Sequence, residues 1–326
     1  MKKRILSGMR PTGKLHLGHY AGVLENWVRL QDEYENFHLV ADWHVLTTDF
    51  EHTDQIRELS REMVLDWLAA GIDPVKSPIF IQSEVKEHSE LFLILAMLVT
   101  VPRLERNPAV KEQARSLNLE ENISYGHLGY PVLQAADILL YRANLVPVGE
   151  DQLPHIELCR EIARRFNKTY GYTFKIPEAK LTQFARLPGP DGKRMSKSQG
   201  NVILMSDPPE QVFSVVRTAI TDPAKIRKND PGNPEICNVF TWQQKFNPAE
   251  IEEIERDCRS GVLGCVPCKK NCAEKISAYL APIQERRERL SADGNLVEDI
   301  IAEGNRRAQA EAAHTMIAVY EAMGMG

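Results

Sequence analysis

Apolar residues recur along this chain with two spacings, and their alternation lays out a frame of strands and helices. Short apolar runs occur at Ile5-Leu6, Phe37-His-Leu-Val40, Pro78-Ile-Phe-Ile-Gln82 and Leu145-Val-Pro-Val148. Runs of that length read as strands, and the Phe37–Val40 run as one buried in a parallel sheet. Between them the apolar residues fall three and four apart. Leu17, Ala21, Leu24 and Val28 share one helical face. The stretch from about Thr53 to Ala70 is patterned likewise, with Thr53 or Asp54 as its cap, Gly71 as its stop and Pro74 beyond.

Strands alternating with helices predict an α/β fold, a Rossmann-type, mostly parallel sheet with helices on both faces and ligands at the strand C-terminal ends. Asp42, His44 and Gln82 fall at such ends, where each could instead cap the next helix. Residues 91–115 read as helical and as a bridge to a subunit partner. Ser124–Tyr130 is glycine-rich and reads as a pocket-lining loop, followed by a helix over Pro131–Tyr141. On that helix Gln134 and Asp137 are three apart and share a face. An acid in so apolar a helix needs a partner, either a neighbouring side chain or a donor on a ligand. Gly149, Glu150, Asp151 and Gln152 turn into a helix over His155–Phe166, an arrangement that suits a ribose or ammonium group, or a helix capped by Asp151. Asp207-Pro-Pro opens a mainly helical part, with apolar positions Ile276, Leu280, Ile283, Ile300, Ile301 and Ala308 at helical spacing. Two domains are expected, over 1–206 and 207–326.

The 326 residues suffice for two domains, and the net charge of −5 does not advertise a polyanion partner. RNA contact would need local basic patches such as Lys269-Lys270 or Arg286-Arg287. No signal-peptide core follows the first residues. The longest apolar run, Leu91–Val101, is about half of the roughly 20 residues a membrane helix requires. A cytoplasmic protein, bound neither to membrane nor to DNA, is expected.

Two stretches carry chemistry. Arg10-Pro-Thr-Gly-Lys-Leu-His-Leu-Gly-His19 joins a strand to a helix, where backbone N–H groups and the helix dipole favour phosphate. Gly18 admits close approach, and His16 and His19 can donate to phosphate oxygens, or act as helix-start caps or lie on the surface. Gly192-Lys-Arg-Met-Ser-Lys-Ser-Gln-Gly200 is a basic, glycine-flanked loop able to close over a triphosphate.

The pair resembles the two signatures of class I aminoacyl-tRNA synthetases. Ser7-Gly-Met-Arg-Pro-Thr-Gly, Ala41-Asp-Trp-His, Ala135-Ala-Asp-Ile-Leu-Leu-Tyr and Val146-Pro-Val-Gly-Glu-Asp-Gln narrow the resemblance to tryptophanyl-tRNA synthetases over nearly the whole length. That resemblance implies two-step ligation of L-tryptophan to tRNA(Trp) through an adenylate made from ATP and Mg²⁺, by a homodimer. His16, His19 and Lys197 would be catalytic. Arg10, Pro11, Thr12, Gly18, His19, Gly149, Glu150, Asp151, Leu187, Arg194, Met195, Ser196, Lys197 and Ser198 would contact ATP. Asp137 would accept the indole N–H, with Tyr130, Gln134 and Gln152 lining the same pocket. Many relatives have glutamine at Arg10 and lysine at Arg194, which makes Lys197 the cation of choice. Tyr130-Pro-x-x-Gln-x-x-Asp137 also resembles tyrosyl-tRNA synthetases, whose acid receives a phenol. A nucleotidylyltransferase sharing His-x-Gly-His and a non-catalytic RNA-binding paralogue are the remoter alternatives.

Six cysteines are present, and Cys258-x6-Cys265-x2-Cys268-x3-Cys272 follows Cys237. In a cytosolic chain this spacing argues for metal or redox chemistry over disulfides. Four thiolates suit zinc or a [4Fe–4S] cluster, and structural free thiols are the plain alternative. Some bacterial tryptophanyl-tRNA synthetases are similar here and hold a [4Fe–4S] cluster. By that resemblance Cys237, Cys258, Cys265 and Cys268 are the ligands, Cys272 is spare and Cys159 is core. The helical tail would read the anticodon arm.

Overall fold

The computed structural model describes residues 2–119, 121–181 and 187–326, which form two compact units. The first comprises residues up to 13, 27–183 and 294–326, within those described. The second comprises residues 14–26 and the described residues of 184–293.

The first unit is built on a five-stranded parallel sheet in the order β3-β2-β1-β4-β5. The strands are β1 (Arg4–Met9), β2 (Glu35–Val40), β3 (Ile79–Ile81), β4 (Leu145–Val148) and β5 (Glu178–Leu181). Arg4 through Met9 pair with Glu35 through Val40 in register, and Ile5 pairs with Leu145 on the other side. The chain adds β2 and β3 to one side of β1 and β4 and β5 to the other. That reversal opens a crevice at the carboxyl ends of β1 and β4, where open α/β sheets bind ligands. The parallel α/β sheet anticipated from the apolar runs is present. β5 has no apolar run to announce it, since Glu-Ala-Lys-Leu offers only Ala179 and Leu181.

Helices cover the sheet with small and branched side chains. Ala135, Ala136, Ile138 and Leu139 of the Tyr125–Leu140 helix pack with Leu6, Phe37, Leu39, Phe80, Val146 and Ile156 in one core. Ser124–Tyr130, expected as a loop, is the first two turns of that helix. Ser124 caps it by accepting from the His127 N–H at 3.1 Å. Pro131 lies inside the helix, so it is not the boundary its chemistry suggested. The helix anticipated over residues 53–70 runs Ile56–Ala70 and stops at Gly71, whose φ of +113° suits glycine.

The Leu296–Met323 helix also belongs to this unit. A Cβ on Gly304 would stand 1.8 Å from the Ile79 carbonyl oxygen, so only glycine lets this helix reach β3. Next to it the Asn305 side chain accepts from the Ile81 N–H at 2.9 Å and covers the open edge of the sheet. Gly304→Ala is expected to cost about 3 kcal/mol, because backbone on both sides must move. Chemical denaturation would measure it, and an unchanged midpoint would contradict the contact.

His38 on β2 is fully buried and stacks on Trp27 with ring centroids 4.5 Å apart. Neither ring nitrogen has a hydrogen-bond partner, and burial lowers its pKa from 6.5 to about 3. The unfolded chain therefore takes up this proton first as the solution is acidified. The stability from the neutral ring is complete above pH 6.5 and falls by about 1.4 kcal/mol per pH unit between 6.5 and 3. His38→Phe should make the acid limb of the stability profile shallower by that slope, whereas an unaltered limb would refute the assignment.

The second unit is helical. Pro209–Thr218, Asn238–Phe246, Ile251–Arg259 and Cys265–Ser291 surround Val212, Val216, Val239, Trp242, Ile276, Leu280 and Ile283, all buried. Buried amides hold it as well. Gln243 donates to Asn271 Oδ1 at 2.8 Å, and Asn247 to Gln243 Oε1 at 3.0 Å. No helix among the described residues is long and apolar enough to cross a membrane.

Candidate active site and cysteine cavity

The acid of the Tyr125–Leu140 helix is met by three donors. Asp137 is 3% exposed and lies within the first unit. Its Oδ1 accepts from Gln82 Nε2 at 2.7 Å and from His88 Nδ1 at 2.6 Å, while Oδ2 accepts from His44 Nε2 at 2.8 Å. His44 and Gln82 follow β2 and β3, so strand ends deliver two of the three donors. Burial works against the charge, but the His44 and His88 hydrogen bonds outweigh it and hold the carboxyl well below its usual range. His88 is locked in turn. With Nδ1 donating to the acid, its Nε2 accepts from the Tyr141 hydroxyl at 2.8 Å. Each carboxylate oxygen has about two acceptor positions, so Oδ2 keeps one for a further donor. The Oε1 of Gln82, whose Nε2 donates to Oδ1, is buried with no partner.

His88 was not singled out from the sequence. It follows Val85 in a polar stretch, and only the tertiary fold brings it to Asp137. Asp42 accepts from the Trp43 and Ser83 N–H groups, both at 3.0 Å, which is the capping role that its position allows.

Tyr130 is half-buried one helical stretch earlier. Asn107 Oδ1 accepts from the Ala109 N–H, which turns its amide nitrogen toward His155 Nδ1 at 3.4 Å. His155 is neutral, its pKa lowered to about 4 by burial, so its Nε2–H donates to the Tyr130 oxygen at 3.0 Å. The Tyr130 proton is thereby left for another acceptor. Arg10, after β1, donates to Thr48 Oγ1. Pro11 is buried, and Thr12 donates its N–H back to the Arg10 carbonyl at 2.9 Å. Gln134 is half-buried. Gly149, Glu150, Asp151 and Gln152 form the turn after β4, with Glu150 and Asp151 exposed and Gln152 donating to Asp151 at 3.1 Å.

The second unit holds the histidine turn and the basic loop. Leu17–His19 is a single helical turn that passes into a π-turn over Tyr20–Leu24, an irregularity frequent at functional sites. The His16 and His19 rings stack with centroids 3.7 Å apart. A Cβ on Gly18 would lie 3.1 Å from the His16 ring and 3.6 Å from Met195 Sδ, so this glycine lets the two motifs meet. The His16 N–H donates to His19 Nδ1 at 3.3 Å, which leaves the His19 proton on Nε2. His16 Nδ1 is buried without a partner. Burial, then the charges of Lys197 and Arg194, lower the pKa of His16 to about 4; burial, then His16 and the same two charges, lower that of His19 to about 3. Both rings are neutral donors at pH 7.

Backbone pairing fixes the turn against the segment that follows the loop. Leu17 donates to the Ile203 carbonyl at 2.8 Å and Met205 to the Leu15 carbonyl at 3.0 Å. Within the loop, Asn201 accepts from the Ser196 N–H at 2.7 Å and donates to Asp191 at 2.8 Å. Leu187 and Met195 are buried, Arg194 is exposed and Lys197 half-buried. The Ser198 side chain lies outside the described part.

Cys237, Cys258, Cys265 and Cys268 line one small cavity together with Thr221, Val239, Leu263 and Gly264. All six cysteines are free thiols. Cys237 precedes the Asn238–Phe246 helix and Cys265 begins the Cys265–Ser291 helix, places where helix dipoles favour thiolates. Burial nevertheless raises Cys237, Cys258 and Cys268, the last to about 12. Gly232 makes room for Cys258, whose sulfur would be 2.6 Å from a Cβ there. Cys272 points at the Val239 carbonyl and Cys159 at that of Ala135. Among the described residues no three His, Cys, Asp or Glu side chains are grouped closely enough for one metal ion.

Known proteins share this architecture. The family model "tRNA synthetases class I (W and Y)" matches residues 1–281. A tryptophan–tRNA ligase from Thermotoga maritima is 50% identical over 99% of this chain and 99% of its own length. That of Aquifex aeolicus is 45% identical over 99% of this chain and 100% of its own. The crystal structure of tryptophanyl-tRNA synthetase from Campylobacter jejuni, complexed with ADP and tryptophan, matches with a TM-score of 0.88 at 31% identity, covering 98% of this chain and 99% of that one. The chain belongs to the tryptophan–tRNA ligases of class I.

Proposed function

We propose that Asp137 selects tryptophan by accepting its indole N–H on Oδ2, in the ligation of tryptophan to tRNA through an adenylate. The observation that carries this reading is the carboxylate held ionised by three donors with one acceptor position left. A phenylalanine side chain would leave that buried charge short of a donor, a defect that such sites use to reject analogues. Tyr130, Gln134 and Gln152 complete the amino-acid pocket. ATP–pyrophosphate exchange driven by tryptophan, tyrosine and phenylalanine in turn tests the selection. Tryptophan alone should drive it, and comparable exchange with tyrosine would overturn the assignment.

The carboxylate of tryptophan attacks the α-phosphate of ATP–Mg²⁺ and pyrophosphate leaves; a hydroxyl of the terminal ribose of tRNA then attacks the acyl carbon of the adenylate and AMP leaves. No side-chain nucleophile is needed. Arg10, Pro11, Thr12, Gly18, Gly149, Glu150, Asp151, Leu187 and Arg194 through Ser198 contact the nucleotide. The His19 Nε2–H, the neutral His16 and the Lys197 ammonium stabilise charge on the departing pyrophosphate.

Cys237, Cys258, Cys265 and Cys268 would be the ligands of a [4Fe–4S] cluster. Four thiols around one cavity are the donor set such a cluster takes. A single zinc ion, with bonds of about 2.3 Å, would draw the sulfurs to roughly 3.8 Å of each other. Lys225 near Cys258 and Lys269 near Cys237 partly offset the burial penalty on the thiolates, and metal binding would supply the rest. Such a cluster would supply a rigid centre near Lys269 and Lys270 for an RNA backbone, since acyl transfer requires no electron carrier. The helical residues of 207–326, divided between the second unit up to 293 and the first from 294, read the anticodon arm, and the enzyme acts as a cytoplasmic homodimer, which sedimentation would test. Protein purified without oxygen should absorb broadly near 400 nm with about four irons per chain. Cys265→Ser should lose that absorbance and charge tRNA poorly while still forming adenylate. One zinc per colourless chain would replace the cluster by a metal staple.

A further inference from the structure

The long helix that begins at Cys265 grips the histidine turn from two sides. Fourteen residues along it, the Tyr279 hydroxyl donates to Glu25 Oε1. Lys245 Nζ holds the other oxygen of Glu25 at 2.6 Å. Glu25 is not an arbitrary anchor. Its own N–H donates to the Tyr20 carbonyl and so closes the π-turn that follows His19. Tyr279 also meets Tyr20 edge-on, with centroids 5.7 Å apart, and Phe246 at 5.0 Å. Burial and then the Glu25 hydrogen bond raise the Tyr279 pKa, so the phenol stays protonated and remains a donor.

The second grip lies on the other flank. Gln284, on the same helix, donates to the Met205 carbonyl at 2.8 Å and to that of Asp207 at 3.1 Å. Met205 is the residue whose N–H pairs with the Leu15 carbonyl, and Leu204 bridges to His16. His16–His19 is thus suspended between Leu15, tied through Met205 to Gln284, and Glu25, tied directly to Tyr279. All of these residues belong to the second unit. These ties hold the π-turn, an irregularity frequent at functional sites, at both of its ends.

We propose that Tyr279, through Glu25, is a positioning residue for adenylate formation: it holds the π-turn so that His19 presents its Nε2–H to the triphosphate. This rests on the nucleotide role given to His16 and His19 above. Tyr279 touches no substrate, and its effect is confined to the step in which pyrophosphate leaves.

The test uses the full-length enzyme. Tyr279→Phe keeps the ring contacts with Tyr20 and Phe246 and removes the hydroxyl with its hydrogen bonds to Glu25 and to Tyr20. It should lower kcat for tryptophan-dependent ATP–pyrophosphate exchange on the order of tenfold. The KM for tryptophan should not move, nor the single-turnover rate of acyl transfer from preformed adenylate. Glu25→Ala should reproduce this loss, and the double variant should be no worse than Glu25→Ala alone, as residues in one chain of contacts are non-additive. Glu25→Gln retains an acceptor for the phenol and should recover most of the activity. Unchanged exchange in both Tyr279→Phe and Glu25→Ala, equal slowing of both steps, or additive losses would overturn the proposal. If Tyr279→Phe melts early, Glu25→Ala and Glu25→Gln decide it by the same split. His19→Ala is the control for the underlying reading. Full exchange activity in His19→Ala would remove that reading itself, whereas an inactive His19→Ala with unaltered Tyr279→Phe would remove only the positioning role.

Discussion

Asp137→Asn is expected to lower kcat/KM for tryptophan on the order of 100-fold or more, with the KM for ATP near that of the parent enzyme. The substitution conserves shape. The amide oxygen can still accept from Gln82 and His88, and His44 can change tautomer so that its Nε2 accepts from the new amide. What is lost is the acceptor that meets the indole, since an amide N–H and an indole N–H repel. Sites built to hydrogen-bond a substrate group are sensitive to this kind of mismatch. Asp137→Ala should lose the same selectivity and also stability, because three buried donors would be left without a partner at about 1–3 kcal/mol each. Steady-state kinetics with each substrate varied would show it. Equal losses in the use of tryptophan and ATP would contradict the role given to Asp137.

Lys197→Ala should slow tryptophan-dependent exchange by about 100- to 1,000-fold, the usual cost of removing a charge that stabilises a transition state. The lysine is half-buried in a short turn closed by Gly200, whose φ is +64°. Its charge already reaches both histidine rings, where it helps to keep them neutral. Lys197→Arg keeps the charge but spreads it over a planar group, and a partial recovery is expected. Tryptophan binding, followed by equilibrium titration, should be the same in all three proteins. A full exchange rate in Lys197→Ala would show that the basic loop does not serve this step.

The parallel sheet was legible because buried strands show as short, largely apolar runs, as in Ile5-Leu6, Phe37–Val40 (broken only by His38), Ile79–Ile81 and Leu145–Val148. β5 was not, since a strand four residues long with exposed ends and only half-buried middle residues carries too little pattern. Ser124–Tyr130 misled for a different reason. Two glycines and a following proline suggest a loop, yet Ser124 caps a helix that tolerates all three. At the site, the two motifs proposed to contact the nucleotide are each contiguous in sequence, so they could be singled out without the fold. The acid network is assembled from four separate segments, so His88 and Tyr141 carried no local signal. The grip of Tyr279 on Glu25 spans 254 positions and was equally hidden.

The most direct test of the account is a structure of the enzyme with tryptophan bound, determined at a resolution that places the indole. The expected result is the indole nitrogen within about 2.7–3.2 Å of Asp137 Oδ2, with His44, His88 and Gln82 still on the carboxylate. An indole directed elsewhere, with Asp137 keeping only its three protein donors, would contradict it.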